Sequence, residues 1–356
     1  MHSTRTIQYL FRNPRSFFNT SRPITTSAST IAQKFLQRFQ SPGPQVRTQT
    51  LDANQLHLLS LTLNRTSPPH PSSSSTSPPL PGTPIPPGHH LVYFTPSFVE
   101  SELGADGTDT SYNPDPPFTR RMWAGGEVKW PRSAGGKGPN LLRVGQEVRE
   151  TTRVLSAEGK VVRRTGEEMV VVGVEKSFEN EDGVAVVDRR NWVFREALPM
   201  PSSSSSSPST QSSTPPSPSP STPPSKTPIS TPPANSHVRH LSQSPTTLFR
   251  FSALTFNAHK IHYSLPWARE VEGHRGVVVH GPLNLICMLD FWRDIHSSKA
   301  PGSELAVPES ISYRATSPLY ADEEYQIVLE EGEDAGKVNI YSFDGTLAMK
   351  ADIRGT

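Results

Sequence analysis

Three residues that can hold or move protons lie close together near position 260: Asn257, His259 and His262. An imidazole can both take up and release a proton at working pH, whereas a carboxamide can hold a hydroxyl group or a water but cannot carry a proton. His262 is therefore a candidate general base, and His259 is the nearest candidate for a separate acid. The alternative is that these side chains only satisfy backbone groups of a loop.

A second candidate group begins at His280. His280, Gly281 and Pro282 precede an apolar run that extends to Trp292 and leaves almost no polar face, which predicts a buried helix beginning near Pro282. The backbone N–H of Gly281 and the positive end of the helix dipole would stabilise negative charge that develops on a carbonyl oxygen. His280 either contacts substrate or caps the helix.

The segments around these residues must position them. The run Leu248 to Phe256 is mainly apolar or β-branched and predicts a strand, which Asn257 would end. Tyr263 to Glu272 predicts about two helical turns that Gly273 stops, and Val277 to Val279 predicts a short buried extended segment.

These residues carry a family resemblance. The spacing of Asn257, His259 and His262 resembles the Asp-x-Asn-Pro-Ile-His motif of MaoC-like (R)-specific hydratases, and Gly276 to Leu283 resembles the Gly-x-x-x-His-Gly start of their central helix. The string SALTFNAHKIHY is similar to the mitochondrial hydroxyacyl-thioester dehydratase type 2 proteins and to mesaconyl-CoA and itaconyl-CoA hydratases. RRMWAGGEV, Arg120 to Val128, resembles the N-terminal half of that branch. Asn257 departs from the motif, which has a catalytic Asp there.

The resemblance implies an α+β double hot-dog fold, in which two antiparallel sheets each wrap a central helix. It implies His262 as the catalytic base, with Asn257 and His259 beside it. Gly281, His280, Arg120 and Trp123 become candidates for substrate binding, although packing at a sheet edge explains Arg120 and Trp123 equally well. The implied reaction requires no cofactor and no metal.

The function expected first is 3-hydroxyacyl-[acyl-carrier-protein] dehydratase of mitochondrial type II fatty-acid synthesis. The alternative is a hydratase of short CoA thioesters such as mesaconyl-CoA or itaconyl-CoA, which uses the same chemistry. Because Asn257 replaces a carboxylate, a third hypothesis is a catalytically inactive thioester-binding or assembly protein. The substrate carrier would be acyl-carrier protein or CoA, and a homodimer is possible.

The N-terminal composition indicates a targeting signal. Residues 1–51 contain seven Lys or Arg and no Asp or Glu, and they are rich in Ser and Thr. This composition is typical of a mitochondrial transit peptide, so we expect residues 1–34 to direct the chain to the matrix; the alternative is a disordered basic tail. No apolar run is long enough for a membrane span, and no basic stripe supports nucleic-acid binding.

Composition divides the rest of the chain. With 37 prolines and 33% hydrophobic residues in 356 positions, much of it cannot pack a core. The single cysteine, Cys287, is expected to be a small buried side chain, and without a CxxC pair no zinc site is expected. The predicted segments are the following: 35–66, the start of the first half; 67–87, a low-complexity insertion; 88–198, an N-terminal hot-dog-like half; 199–236, a Ser/Pro/Thr-rich linker; and 246–356, the C-terminal half with the motif.

Each half is predicted to contain mainly strands. Thr95 to Leu103 is expected to form a short helix, with Thr95 as its cap and Pro96 at its first position. The predicted strands are Met122–Trp130, Glu147–Leu155, Glu168–Ser177, Val184–Phe194, Ser310–Thr316, Glu324–Glu330, Lys337–Phe343 and Thr346–Ile353.

Overall fold

The computed structural model of the chain describes residues 27–65, 77–132, 138–163, 165–198, 235–299, 305–333 and 335–355. Most of the predicted linker 199–236 and half of the insertion 67–87 lie outside these residues. The helices are α1 (Ala28–Gln40), α2 (Ala53–Thr62), α3 (Pro245–Leu254) and α4 (Gly281–Lys299). The strands are β1 (Gln45–Thr50), β2 (Arg120–Lys129), β3 (Glu147–Val161), β4 (Glu168–Asn180), β5 (Gly183–Arg195), β6 (Ser236–Ser242), β7 (Ser310–Ala315), β8 (Glu324–Glu330), β9 (Gly336–Ser342) and β10 (Leu347–Arg354).

The described strands form one antiparallel sheet in the order β1-β3-β4-β5-β2-β7-β10-β9-β8-β6. Five come from the N-terminal half and five from the C-terminal half, and the halves join where β2 pairs with β7. Eight of the nine predicted strands are confirmed, because β-rich runs separated by glycine turns identify strands well. β1 and β6, the two edge strands, are additions.

Two glycines allow β2 to lie between β5 and β7. A bulge interrupts the register between Trp123 and Gly125. A Cβ atom on Gly125 would lie 2.4 Å from the carbonyl oxygen of Tyr313, and one on Gly126 would lie 2.0 Å from that of Arg189. The sheet can therefore be continuous across the two halves only if these positions lack side chains.

The apolar helix α4 is buried, as predicted. Leu283, Leu285, Ile286 and Met288 are fully inaccessible, and they share one core with α2 and with both halves of the sheet. Cys287 is buried and free, as expected. Among the described residues, no helix combines the length and apolar character that crossing a bilayer requires.

The strand predicted from Leu248 to Phe256 is wrong, because these residues form most of helix α3. The side chain of Ser244 accepts a hydrogen bond from the Thr247 N–H, and Pro245 occupies the first helical position. A cap residue followed by Pro favours a helix start, and this local signal outweighs the β-branched composition of the run.

The helix predicted from Thr95 to Leu103 is also wrong, and only one 3-10 turn forms there, Glu100–Glu102. Arg47 on β1 explains the difference. Its guanidinium donates to the carbonyl oxygens of Phe94 and Thr95, and it thereby holds the chain extended where the helix should begin. A contact so distant in sequence gives no local signal.

Helix α1 covers one end of the N-terminal sheet. Ile31, Ala32 and Phe35 are buried against β3 and β4, and a Cβ atom on Gly159 of β3 would lie 2.3 Å from the backbone nitrogen of Ser29. The predicted targeting segment 1–34 therefore overlaps the start of a packed helix. Its residues 1–26 lie outside the described residues.

We expect Phe35→Ala to lower the free energy of unfolding by about 3 to 5 kcal/mol, because it removes a fully buried ring from this contact. Lys34→Ala, on the exposed face of the same helix, should change it by less than about 0.5 kcal/mol. Urea denaturation followed by tryptophan fluorescence measures both. Equal small effects would show that α1 does not contribute to the folded domain.

Candidate active site

The sequence motif lies on a loop whose shape is fixed by its own hydrogen bonds. α3 ends at Leu254, and Phe256 has a positive φ of 48° that redirects the chain. The N–H of Asn257 then donates to the carbonyl of Ser252 at 2.9 Å. The side-chain oxygen of Asn257 accepts the N–H of His259 at 3.2 Å, and its amide nitrogen has no partner among the described residues. Asn257 can therefore donate to an incoming hydroxyl group.

His262 lies on a single 3-10 turn, Lys260–His262, and its tautomer is fixed. Its Nδ1 lies 2.7 Å from the carbonyl oxygen of Val278. A carbonyl can only accept, so Nδ1 carries the proton and Nε2 presents a lone pair. The N–H of Val278 donates in return to the carbonyl of Ile261 at 2.8 Å. The predicted extended segment Val277–Val279 thus holds the base in place.

His280 is buried beside His262. The two rings are stacked with centroids 3.6 Å apart and an interplanar angle of 18°. Nε2 of His280 lies 2.9 Å from the hydroxyl oxygen of Ser252, and its Nδ1 has no partner. The side chain therefore does not cap α4, although the His280 carbonyl accepts the first helical hydrogen bond, from Asn284.

Burial keeps the three imidazoles neutral. Burial and the neighbouring His259 lower the pKa of His262 to about 3, although the hydrogen bond to Val278 opposes this change. Burial also lowers the pKa of His259 to about 3, with smaller contributions from Arg121, His274 and Arg120. The pKa of His280 lies well below its ordinary value for the same reason, with His262 adding to the effect. His262 is thus unprotonated at neutral pH.

A loop of the N-terminal half packs against the motif. Asp106 Oδ2 lies 3.8 Å from Nε2 of His259, too far for a hydrogen bond. The carbonyl of Asp106 accepts the N–H of Lys260 at 2.8 Å, and a Cβ atom on Gly107 would lie 2.1 Å from the carbonyl of Ala258. Asp106 was not predicted, and only its Asp-Gly turn signal marks it in the sequence.

The N-terminus of α4 is covered by a side chain from the other half. A Cβ atom on Gly281 would lie 2.2 Å from Cε3 of Trp123, so the indole ring lies against the first residue of the helix. Arg120, three residues earlier on β2, forms an ion pair with Glu272 at 3.3 Å. The structure thus brings Trp123 to the predicted site. Arg120 instead connects β2 to the segment Tyr263 to Glu272, which was predicted to be helical and contains the helical turn Trp267–Val271.

A cavity of about 130 Å³ begins at the motif. Asn257, His280 and Pro282 line it, whereas His262 is not among the lining residues and contacts the lining ring of His280, on which it is stacked. The lining also includes Lys176 and Arg190 from strands of the sheet. The sequence did not indicate these two residues, because their positions in strands give no motif.

The donor set does not suggest a metal centre. Among the residues that the structure describes, no group of three or more His, Cys, Asp or Glu side chains is arranged to bind a metal ion. The three motif histidines point to one another, to a carbonyl or to a hydroxyl group, as described above.

This fold is that of MaoC-like dehydratases, which are hydro-lyases of acyl thioesters. A family model described as hydroxyacyl-thioester dehydratase type 2 matches residues 88–321, and the chain belongs to that family. The chain is 28% identical over 279 residues to mesaconyl-C(4)-CoA hydratase of Chloroflexus aurantiacus, covering 77% of this chain and 85% of that protein. It is 22% identical to the mitochondrial hydroxyacyl-thioester dehydratase type 2 of Schizosaccharomyces pombe, covering 70% and 79%.

Solved structures agree on the fold. A MaoC-like dehydratase from Phytophthora capsici superimposes with a TM-score of 0.58 at 13% identity, covering 91% of this chain and 98% of that one. The peroxisomal multifunctional enzyme type 2 of Drosophila melanogaster gives 0.55 at 11% identity, covering 88% of this chain and 48% of that one. The predicted α+β double hot-dog fold is confirmed.

We expect His262→Ala to lower kcat by about 10² to 10⁴, because it removes the only described base with a fixed free lone pair at the motif. Asn257→Ala should follow, since it loses both the loop hydrogen bond and the free amide donor, and His259→Ala should cost about tenfold or less. Steady-state hydration of a short 2-enoyl thioester measures all three. Tyr263→Phe, an exposed side chain next to the same turn, is the matched control, and full turnover by folded His262→Ala would contradict the assignment.

The lowered pKa of His262 also predicts the pH profile. Since the base works in its neutral form, kcat/KM should fall only as pH drops well below 6.5, toward about 3. His259→Gln removes a group that depresses this pKa, so the acidic limb should move to higher pH. Rates measured from about pH 4 to 8, with fluorescence to confirm folding, test this. A wild-type limb at or above pH 6.5 would exclude the buried neutral base.

Proposed function

We propose that this chain catalyses the reversible interconversion of 3-hydroxyacyl and 2-enoyl thioesters, acting on short acyl groups. The observation that carries the proposal is the hydrogen bond from His262 Nδ1 to the Val278 carbonyl, which leaves Nε2 as an unpaired base on a ring stacked against His280, a residue that lines the cavity. In the direction of dehydration, Nε2 takes the proton from the carbon next to the thioester. That electron pair forms the double bond, the carbon–oxygen bond breaks, and the hydroxyl group leaves with a proton as water.

The surrounding groups fit the two other requirements of this reaction, which are stabilisation of the negative charge on the thioester oxygen and protonation of the leaving hydroxyl group. The first turn of α4 has backbone amides without intrahelical partners, and the developing negative charge on the thioester oxygen is stabilised there. The free amide of Asn257 holds the hydroxyl group that leaves. Because Asn257 cannot supply a proton, protonated His262 returns the proton to the departing oxygen.

The size of the cavity supports a short acyl group. Its volume of about 130 Å³ is similar to that of an engineered cavity of about 150 Å³ that accommodates benzene. An acyl group of about five or six heavy atoms therefore fits within it. This favours CoA thioesters of short acids over the long-chain substrates of fatty-acid synthesis.

The second candidate is the dehydratase of mitochondrial type II fatty-acid synthesis, with substrates on acyl-carrier protein in the matrix. Two observations favour it: the basic, acid-free residues 1–51, and the similarity to a protein that is named mitochondrial. Helix α1 limits the proposed processing, because cleavage beyond Ser27 would remove part of a packed helix. The homodimer and the inactive binding protein remain hypotheses.

Matched substrates separate these candidates. We expect kcat/KM for 2-butenoyl-CoA to exceed that for 2-decenoyl-CoA by at least about tenfold, since each excluded methylene costs about 0.8 kcal/mol of burial. The same two acyl groups on acyl-carrier protein control for the carrier. A preference for the longer chain on acyl-carrier protein would favour the second candidate, and no turnover of any of the four would favour the inactive binding protein.

The import proposal has its own measurement. We expect the mature N-terminus in isolated mitochondria to lie at or before Ser27, which leaves α1 whole. Sequencing of the N-terminal peptide determines the position. An intact Met1 would argue against import with cleavage.

A further inference from the structure

A carboxylate of the N-terminal half lies at the motif and takes no part in the reaction steps described above. Asp106 Oδ2 lies 3.8 Å from Nε2 of His259, and both side chains are largely buried. Among the residues that the structure describes, no Lys or Arg side chain lies within ion-pair distance of this carboxylate. Asn257 carries no charge, so the imidazolium ion that forms on His262 has no counter-charge within the motif itself.

The direction of this carboxylate is fixed by its own turn. Asp106 Oδ1 accepts the backbone N–H of Thr108 at 2.9 Å and the hydroxyl group of the same residue at 2.8 Å. Oδ2 is therefore the oxygen that faces His259. The backbone carbonyls of Asp106 and Ala105 accept the N–H and the ammonium group of Lys260, at 2.8 and 2.6 Å. These contacts hold the loop against the motif turn.

His259 presents an unsatisfied atom to this carboxylate. Its Nε2 is buried and has no hydrogen-bond partner in the described part of the chain. Such an atom is costly to bury, whereas a hydrogen bond to a carboxylate is among the strongest that a neutral ring can make. A movement of about 1 Å brings Nε2 within hydrogen-bond distance of Oδ2, and catalytic hydrogen bonds often tighten only when substrate binds. Because a carboxylate can only accept, Nε2 must then carry the proton.

The other charged or titratable groups around His259 and His262 are paired or neutral. They are the ion pairs Arg120–Glu272 and Arg121–Asp109, the ammonium group of Lys260, and the rings of His274 and His280. The pKa values of both rings lie below the ordinary value, mainly because of burial. Asp106 differs from the carboxylates of these pairs, because no described Lys or Arg cancels its charge.

His259 connects this carboxylate to the base. The rings of His259 and His262 are in edge-to-face contact, with centroids 5.3 Å apart and an interplanar angle of 83°. Burial lowers the pKa of His259 to about 3, so at neutral pH this ring acts through its dipole and not through a charge. A proton on Nε2 directs the positive end of that dipole at Asp106 and leaves the negative end, at Nδ1, on the side away from the carboxylate. The other tautomer reverses the dipole.

We propose that Asp106 is a positioning residue, which fixes His259 in the tautomer with its proton on Nε2, and that His259 in this form stabilises the imidazolium ion on His262. The inference rests on the proposed function, because it assumes that His262 takes the proton from the substrate. Asp106 acts through His259 and does not contact the reacting atoms. The N-terminal half thus contributes to the acid–base chemistry of a motif that lies in the other half.

The tautomer of His259 can be measured without turnover. Two-bond ¹H–¹⁵N correlation spectra of protein labelled in its histidine rings show which nitrogen carries the proton, and His259→Ala assigns the signals. We expect the proton on Nε2 in the wild-type protein. Asp106→Asn should reverse the tautomer, since its amide oxygen can keep the contacts with Thr108 while its amide nitrogen donates to Nε2. A wild-type proton on Nδ1, or an unchanged tautomer in Asp106→Asn, overturns the inference.

Steady-state rates show whether the tautomer affects catalysis. We expect Asp106→Asn to lower kcat for 2-butenoyl-CoA by about five- to tenfold with KM within about threefold, because the stabilised charge exists only along the reaction path. Asp106→Glu keeps the charge and should restore kcat to within about threefold of wild type. Asp344→Asn is the matched control, because Asp344 Oδ1 likewise accepts an N–H two residues later, from Thr346, and a hydroxyl group, from Ser342. It should change neither parameter.

A double-mutant cycle separates positioning from a general loss of structure. Because Asp106 acts through His259, adding Asp106→Asn to His259→Ala should lower kcat by no more than about a further twofold. Losses that multiply overturn the inference, as does an unchanged kcat in Asp106→Asn, and neither result affects the proposed reaction. Full turnover by folded His262→Ala rejects the proposed reaction instead, and with it the catalytic role of Asp106, while the spectra still decide the contact between Asp106 and His259.

Discussion

Burial of α4 is the constraint on which the rest of this structure depends. A helix whose side chains from Leu283 to Trp292 are almost all apolar cannot remain stable beside water, so both halves of the sheet must cover it. Its first turn must nevertheless remain near the cavity, because His280 and Pro282 line that space. The chain meets both demands by pairing β2 with β7, which brings Trp123 of one half against Gly281 of the other.

The same burial determines the acid–base behaviour of the site. Desolvation disfavours the charged form of His262, His259 and His280; His259 also lowers the pKa of His262, and both lower the pKa of His280. A stacked pair of neutral rings is compatible with this environment, whereas two imidazolium ions 3.6 Å apart would repel each other strongly. The backbone carbonyl of Val278 then selects which nitrogen of His262 is free, a choice that no side-chain spacing can specify.

The structural features that could be predicted from the sequence are those determined by residues close together in the chain. Strands β2 to β5 and β7 to β10 follow from alternating burial and turns, and the motif histidines follow from their spacing. The errors have long-range or competing causes: Arg47 holds Thr95 extended from another strand, and the cap at Ser244 outweighs β propensity in α3. Lys176 and Arg190 were not predicted for a third reason. Only the tertiary structure shows that these two strand residues line the same cavity as the motif residue Asn257.

The asymmetry between the halves explains how a charged wall can exist inside such a fold. In the C-terminal half α4 packs mainly apolar side chains against the sheet, and its buried charged exceptions, Asp290 and Arg293, form an ion pair at 2.7 Å. In the N-terminal half the lining of the cavity includes Glu150 on β3, Lys176 on β4 and Arg190 on β5. Charged side chains on β3, β4 and β5 can remain largely buried beside the cavity, because pairing with one another offsets most of the free-energy cost of their desolvation. The two halves thus contribute different side chains to one cavity: the N-terminal half supplies paired charged groups, and the C-terminal half supplies Asn257 and His280 of the motif region.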